Sequence, residues 1–451
     1  MARLDSLNPL NGEIVGTVDV TPTEDIPGIV ARARAAQHGW AALGAPGRAE
    51  LLGQAAARFK ERAEELAALI TREMGKPIRE SLGEARGLGA GLVEELEEIV
   101  QALEPEKIEK GHLRSIIHRD PLGVCAAITP WNFPVAMPNW MVLPALAAGN
   151  AVVFKPSEET PLSGQFYADV LAEGLPPDVL ITVHGADEQG KALVRSDVDL
   201  IAFTGSREVG KHILQSAGGE LKRVILELGG KDPMIVLDDA DLKEAAHFAA
   251  WNGFRNCGQV CVSTERIFVH DTVADAFLEL LTAEAGKAVV GDGMDKETTL
   301  GPMVNRGQRE HVIGQVNEAV QHGARVLAGG VSQGVFIMPT VLADVPEGLG
   351  VNTEETFGPV VCVSRVSSDE EAVEKANASP FGLGAVVFGG DEGRAERVAR
   401  RLNAGMVGIN RACGGAPGTP WVGARESGYG FHKGRDGHRQ FTQTRVVSRT
   451  M

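Results

Sequence analysis

From residue 115 onward, short β-rich runs alternate with stretches of helical period. No other feature narrows the choice of fold so far. "SIIHRDPLGVCAAITP", "NAVVFKP", "VLITVHG", "LIAFTGS", "RVILELGG" and "PMIVLDD" are the apolar runs, and patterns such as "PLSGQFYADVLAEG" and "REVGKHILQSAGG" follow several of them. Strand, helix and strand in alternation predict βαβ units, and so a parallel sheet covered by helices on both faces. A second series begins after Pro233 and runs through "LKEAAHFAAWNGF", "RIFVH", "VADAFLELLTAEA", "FIMPTVL", "VVCVSRV", "LGAVVFGG" and "MVGIN". Two α/β units meeting near residue 230 are expected. Upstream, "GRAELLGQAAARFKERAEELAALITREMGKP" places Leu51, Leu52, Ala55, Phe59, Ala63, Leu66, Leu69 and Ile70 at helical intervals and stops at Gly75-Lys76-Pro77. A second, weaker helix is expected in "ESLGEARGLGAGLVEELEEIVQAL".

With 451 residues the chain exceeds what one core usually organises. A net charge of −16 disfavours nucleic acid or an anionic membrane surface as partner, because both call for clustered Lys and Arg. The densest apolar stretch, Met141 to Phe154, is interrupted by Pro144 and by Gly149-Asn150, so no membrane span is expected. The opening "MARLDSLNPLNGE" has no apolar signal core, and 5 scattered cysteines make no disulfide framework. The cytoplasm is the expected compartment.

Two segments carry the chemistry. Glu227 precedes a glycine pair in "ILELGGKDP", and Cys261 closes "RNCGQVC". An ionised cysteine is the strongest side-chain nucleophile, but an isolated one is also an ordinary small core residue. Glu227 reads either as a paired or capping carboxylate or as a general base whose pKa is raised by apolar surroundings. Asn132 in "TPWNFP" is a turn former or, held between two prolines, an oxyanion donor. "FTGSREVG" at 203–210 is a strand-to-helix turn capped by Ser206 or an anion site at a helix N-terminus. It is not G-x-G-x-x-G. Lys155 stands where parallel sheets bind ligands, past the end of a strand. Cys257 and His247 match no zinc spacing, and no metal is expected.

Taken together, "TPWNFP" (129–134), "FKPSEETPLS" (154–163), "FTGSREVG" (203–210), "ELGGKDP" (227–233), "CGQVC" (257–261) and "EETFGPV" (354–360) resemble the aldehyde dehydrogenase superfamily, in its order and at spacings like its own. The opening "NPLNGEIVGTV" looks like that family's start, and the resemblance covers nearly the whole chain. It implies an α/β fold with a Rossmann-type cofactor domain (1–102 and 122–230) and an α/β catalytic domain (231–410). A small β oligomerisation arm (103–121 and 432–451) and a return to the cofactor domain at the substrate mouth (411–431) complete it. A homodimer or homotetramer is expected.

The resemblance also implies roles. Cys261 would form a thiohemiacetal and then a thioester, Asn132 and the Cys261 N–H would hold the oxyanion, and Glu227 would activate the hydrolytic water. NAD would be the cofactor rather than NADP, since Glu158 stands where a ribose phosphate would have to lie. Thr129, Pro130, Trp131, Lys155, Ser157, Glu158, Gly205, Ser206, Leu228, Gly229, Glu355 and Phe357 would bind it. Phe133, Met137, Trp140, Val260 and Trp421 would line a substrate channel suited to an apolar or aromatic aldehyde. Succinate-semialdehyde members typically place an arginine where Trp140 stands. Arg255 is either a solvated helix end or a charge on the channel wall, and the second case would favour a semialdehyde. A coenzyme-A-acylating member and a non-catalytic relative are further alternatives, disfavoured by the presence of Glu227 and by the intact set of Asn132, Glu227 and Cys261. One departure stands out: where many members carry a glutamate after the Ser-Gly-x-Gly turn, this chain has His432.

Overall fold

The computed structural model describes residues 2–451. Arg223–Leu228, Leu200–Gly205, Val124–Ile128, Ala151–Lys155 and Leu180–Thr182 form a parallel sheet in that order. Gly428–Tyr429 adds an antiparallel edge, with Gly428 opposite Glu227. Four of these strands are wholly or almost wholly buried, as expected of a sheet covered on both faces. A second sheet runs in the order Arg325–Ala328, Thr340–Ala343, Val360–Val366, Thr264–His270, Asp232–Val236, Gly384–Phe388 and Met406–Ile409. Only its Arg325–Ala328 edge is antiparallel.

Each sheet has its own core. Val124, Ala126, Val153, Ile201 and Leu226 pack under one face of the first, and Met234, Val236, Ile267, Val269 and Val361 anchor the second. A third, antiparallel sheet joins Glu106–Lys110, Leu113–Pro121 and the C-terminal strand Thr442–Thr450. It is mostly solvent-facing, with Ile108, Leu113, Val446 and Val447 about half exposed.

The structure corrects the single helix read over residues 47–74. Three segments occupy that stretch, Gly44–Gly53, Ala55–Glu61 and Ala63–Met74. Gln54 N–H bonds to Leu51 O, three residues back, and Arg62 leaves helical geometry at ψ 15°. The apolar spacing survives both interruptions because the buried face, including Leu52, Ala55, Phe59, Leu66 and Ile70, still packs on the long helix Ile78–Ala102 and its neighbours. The last segment stops at Gly75, whose φ of 80° is a left-handed cap.

Candidate active site

The strand Arg223–Leu228 delivers Glu227 at its carboxyl end, and the glycines after it explain how that end reaches the thiol. A Cβ at Gly229 would lie 2.2 Å from the Glu355 carboxylate, and one at Gly230 would lie 2.6 Å from the Cys261 carbonyl oxygen. Only glycine permits such approach. Ser427 fixes the turn from the far side, its hydroxyl donating to Gly229 O at 2.7 Å and accepting from Gly382 N–H at 2.9 Å.

Cys261 comes from a loop held in an unusual shape. Asn256 and Cys257 have φ of 48° and 59°, and Gly258 follows at 70°. A Cβ at Gly258 would lie 2.0 Å from Gly358 O, so this loop is pressed against the one that carries Glu355 and Phe357. Asn132 Nδ2 donates to Gln259 O at 3.1 Å, and Asn256 Nδ2 donates to Asn132 O at 3.2 Å. An amide nitrogen has two hydrogens, so Asn132 keeps a second one to offer.

A cleft of about 340 Å³ lies between the two parallel sheets. Asn132, Glu227 and Cys261 share its wall with Pro130, Trp131 and Met137. Gly205, Ser206, Leu228, Gly229, Glu355 and Phe357 line it as well. The structure thus brings together three candidate catalytic residues, eight of the candidate cofactor residues and one of the candidate channel residues. Thr129, Lys155, Ser157 and Glu158 stand beyond this wall. Thr129 N–H bonds to Lys155 O at 3.2 Å, and buried Lys155 reaches Glu158 at 3.5 Å.

Phe133, Val260 and Trp421 gather instead with Cys261 and Cys413 in a small apolar cluster with Val262, Leu383 and Met406. Trp140 packs its ring 5.2 Å from that of Trp421. Arg255 is not a solvated helix end. Its guanidinium lies 4.7 Å over the Trp251 ring, its Nε is buried without a partner, and Glu80, Cys261 and Cys413 are its charged or ionisable neighbours.

Burial raises the Glu227 carboxyl to about 7, against the lowering influence of the neighbouring Cys261 thiol and of Trp421 Nε1, which donates to it. Burial also lifts the Cys261 thiol well above its ordinary value, and the Glu227 charge adds to that. Glu355, which accepts from Gly230 N–H at 3.1 Å, is pushed to about 8 by burial and then by Glu265.

Sequence reasoning missed several neighbours. Thr204 stands in register with Glu227 and its buried hydroxyl has no partner; Gln308 and His311 come from the helix Arg306–Gln321. Lys76, fully buried, pairs with Glu84 at 2.5 Å and lies 3.9 Å from the Phe133 ring. In sequence it is one residue of a helix stop. The pair of residues weighed as metal ligands is separated: His247 pairs with Glu284 at 3.3 Å, and buried Cys257 Sγ lies 3.5 Å from Met303 Sδ.

The cleft has the features of a dinucleotide site. Ser206 precedes the helix Arg207–Gly218 without a side-chain cap, so the first N–H groups of that helix remain available to a phosphate.

The chain is similar to known proteins over nearly its whole length. A model of the "Aldehyde dehydrogenase family" matches residues 2–447. Betaine aldehyde dehydrogenase of Sinorhizobium fredii is 38% identical over 453 residues, covering 98% of this chain and 93% of that protein. The crystal structure of an NADP dependent enzyme of E. coli superposes with a TM-score of 0.96 at 34% identity, over 100% of this chain and 95% of that one. That of an NAD-dependent aldehyde dehydrogenase from Sinorhizobium meliloti does so at 0.96 and 35% identity, over 100% and 92%. With a cysteine, a carboxylate and an amide converging beside a helix N-terminus, and with likeness running from end to end, this chain belongs to the aldehyde dehydrogenase family.

Proposed function

We propose that the protein oxidises an aldehyde to a carboxylic acid with NAD, through an acyl-enzyme on Cys261. The observation that carries this reading is that Cys261, Asn132 and Glu227 line one cleft, with the buried Glu227 Oε2 left without a hydrogen-bond partner. The Cys261 thiol gives its proton to water in the cleft as the sulfur adds to the carbonyl carbon, and the new oxyanion is held by the second Nδ2 hydrogen of Asn132 and the Cys261 N–H. When bound, the dinucleotide supplies the acceptor for the hydride that leaves this adduct. Gly205 and Ser206 would hold its diphosphate, Glu355 and Phe357 its nicotinamide ribose and ring, and Lys155 and Glu158 its adenine ribose. Glu227, with a pKa near neutrality, takes a proton from water, which attacks the thioester and releases the acid.

The chain divides into the cofactor, catalytic and arm regions given above, and the arm supports a homodimer or homotetramer. A projecting three-stranded sheet with half-exposed Ile108, Val446 and Val447 gains by pairing with a second copy. No helix among the described residues is long and apolar enough to cross a membrane.

For the substrate, the apolar cluster beside Cys261 and the Trp140–Trp421 pair support an apolar or aromatic aldehyde. Arg255 favours a second reading. An unpartnered buried Nε near the thiol is a place for a carboxylate, as a semialdehyde would supply. Steady-state rates for benzaldehyde, hexanal and succinate semialdehyde, with each nicotinamide cofactor and with or without coenzyme A, test the whole reading. Absence of oxidation of every aldehyde, or a requirement for coenzyme A, would overturn it. A succinate-semialdehyde efficiency about tenfold above the others, lost in Arg255→Ala, would select the second substrate class.

A further inference from the structure

The apolar cluster around Cys261 ends at Trp421, and Trp421 is the inner member of an aromatic pair. Its ring lies 5.2 Å from that of Trp140 at an angle of 48°. Trp140 in turn meets two groups from the C-terminal segment. The His432 ring lies 5.4 Å away, and the Lys433 ammonium sits 4.3 Å from the Trp140 ring centroid. That is cation–π distance. Among the described residues, Lys433 has no ion pair and no hydrogen bond through Nζ, so its charge is committed to the indole. Its backbone holds the side chain there with φ of 59°.

The surroundings are built for a cation. Two carboxylates on the helix Ile78–Ala102, Glu95 and Glu98, face Lys433, and each has a buried oxygen that makes no hydrogen bond. The two histidines nearby, His432 and His438, are driven by burial to about 3 and about 4 and carry no charge near neutrality. The positive charge in this group is therefore the lysine's own. Trp421 packs in the same apolar cluster as Cys261, so the lysine covers indole surface one ring removed from the thiol's surroundings.

Resting on the reading of Cys261 as the site of aldehyde oxidation, we propose that Lys433 is a specificity-determining residue: an intramolecular cation, seated on Trp140, that excludes aldehydes bearing a quaternary or primary ammonium group. Exclusion arises twice, from repulsion and from the loss of the indole surface already covered. Removing the lysine charge uncovers the Trp140 face beside Glu95 and Glu98, both raised by burial and lowered by Lys433. A bound ammonium would restore the positive neighbour that favours their ionised forms, so the same substitution should turn exclusion into acceptance.

The test compares two aldehydes of one shape and different charge, betaine aldehyde and its neutral carbon isostere tert-butylacetaldehyde. The wild-type enzyme should favour the neutral one. In Lys433→Met the ratio of kcat/KM, cationic over neutral, should rise about tenfold or more, while Lys433→Arg keeps the wild-type ratio. Lys433→Gln replaces the Met variant if that is insoluble. A structural role for Lys433 would lower both rates together and leave the ratio alone. The unreactive alcohols choline and its tert-butyl counterpart give the same comparison as dissociation constants, read from quenching of tryptophan fluorescence. If neither aldehyde is oxidised, the proposed activity fails, and the alcohol ratio still decides this question. A ratio unchanged within about twofold in the Met or Gln variant, an equal rise in Lys433→Arg, or a wild-type enzyme that prefers the cation would overturn the proposal.

Discussion

Trp421 Nε1 donates to Glu227 Oε1 at 3.4 Å, joining the C-terminal segment to the end of a strand in the first sheet, 194 residues away. The bond stabilises the ionised carboxylate, while burial opposes ionisation and holds the group at about 7. A base must be deprotonated to act, so turnover should fall on the acid side near that value. Trp421→Phe removes the donor and keeps the ring. The Glu227 pKa then rises further, and the acid limb of the kcat profile should move to higher pH by about half a unit. A limb that moves down, or stays, would show that this bond does not tune the base.

Glu227 also disfavours the Cys261 thiolate, second only to burial. Glu227→Gln removes that charge, so iodoacetamide should alkylate Cys261 about threefold faster at a fixed, mildly alkaline pH. Cys125, Cys257 and Cys362 are buried and should not compete, and Cys413, half-buried like Cys261, is told apart by mapping the alkylated peptide. Slower alkylation would mean that the carboxylate draws the proton from sulfur instead.

Below the cofactor side of the cleft, Lys231 and Glu265 form a buried ion pair, and Glu265 also accepts from the N–H groups of Thr356 and Phe357. Glu265→Ala strands a buried ammonium and two backbone donors. It should cost about 3 kcal/mol or more, measured from the denaturant midpoint, and should weaken NAD binding through the loop at Phe357, whose φ is 51°. Glu265→Gln keeps an acceptor and should cost less. Equal losses in the two variants would show that the backbone contacts contribute nothing.

How much of this was legible in the sequence depended on range. The βαβ alternation, the stop at Gly75 and the turn at Gly205-Ser206 are local, and they fold as read. Glu227 and Cys261 could be picked out because glycines flank them, and those glycines prove to be points of close backbone approach. What could not be read is set by distant partners. Arg255 is withdrawn from solvent by Trp251 and faces Glu80, and Lys433 is placed by Trp140. Lys76, an ordinary charge in its segment, is fully buried because Glu84 and the Phe133 ring meet it.

In the proposed reading, cofactor choice turns on Glu158, which is partly exposed and 3.5 Å from the Lys155 ammonium. A ribose phosphate beside this carboxylate would suffer like-charge repulsion, so kcat/KM with NAD should exceed that with NADP. Glu158→Gln should narrow the gap by about tenfold. An NADP efficiency equal to or above that with NAD in the wild type would refute this assignment.

The division of labour between Cys261 and Glu227 is tested most directly by mixing Glu227→Gln with NAD and aldehyde in a stopped-flow instrument and following NADH. Cys261→Ala should give no NADH at all. The Gln variant should release NADH in a rapid burst of about one equivalent per active site, followed by a steady rate about a hundredfold below wild type, because acylation survives and thioester hydrolysis does not. If the burst disappears in proportion to the steady rate, Glu227 does not serve as the base of deacylation.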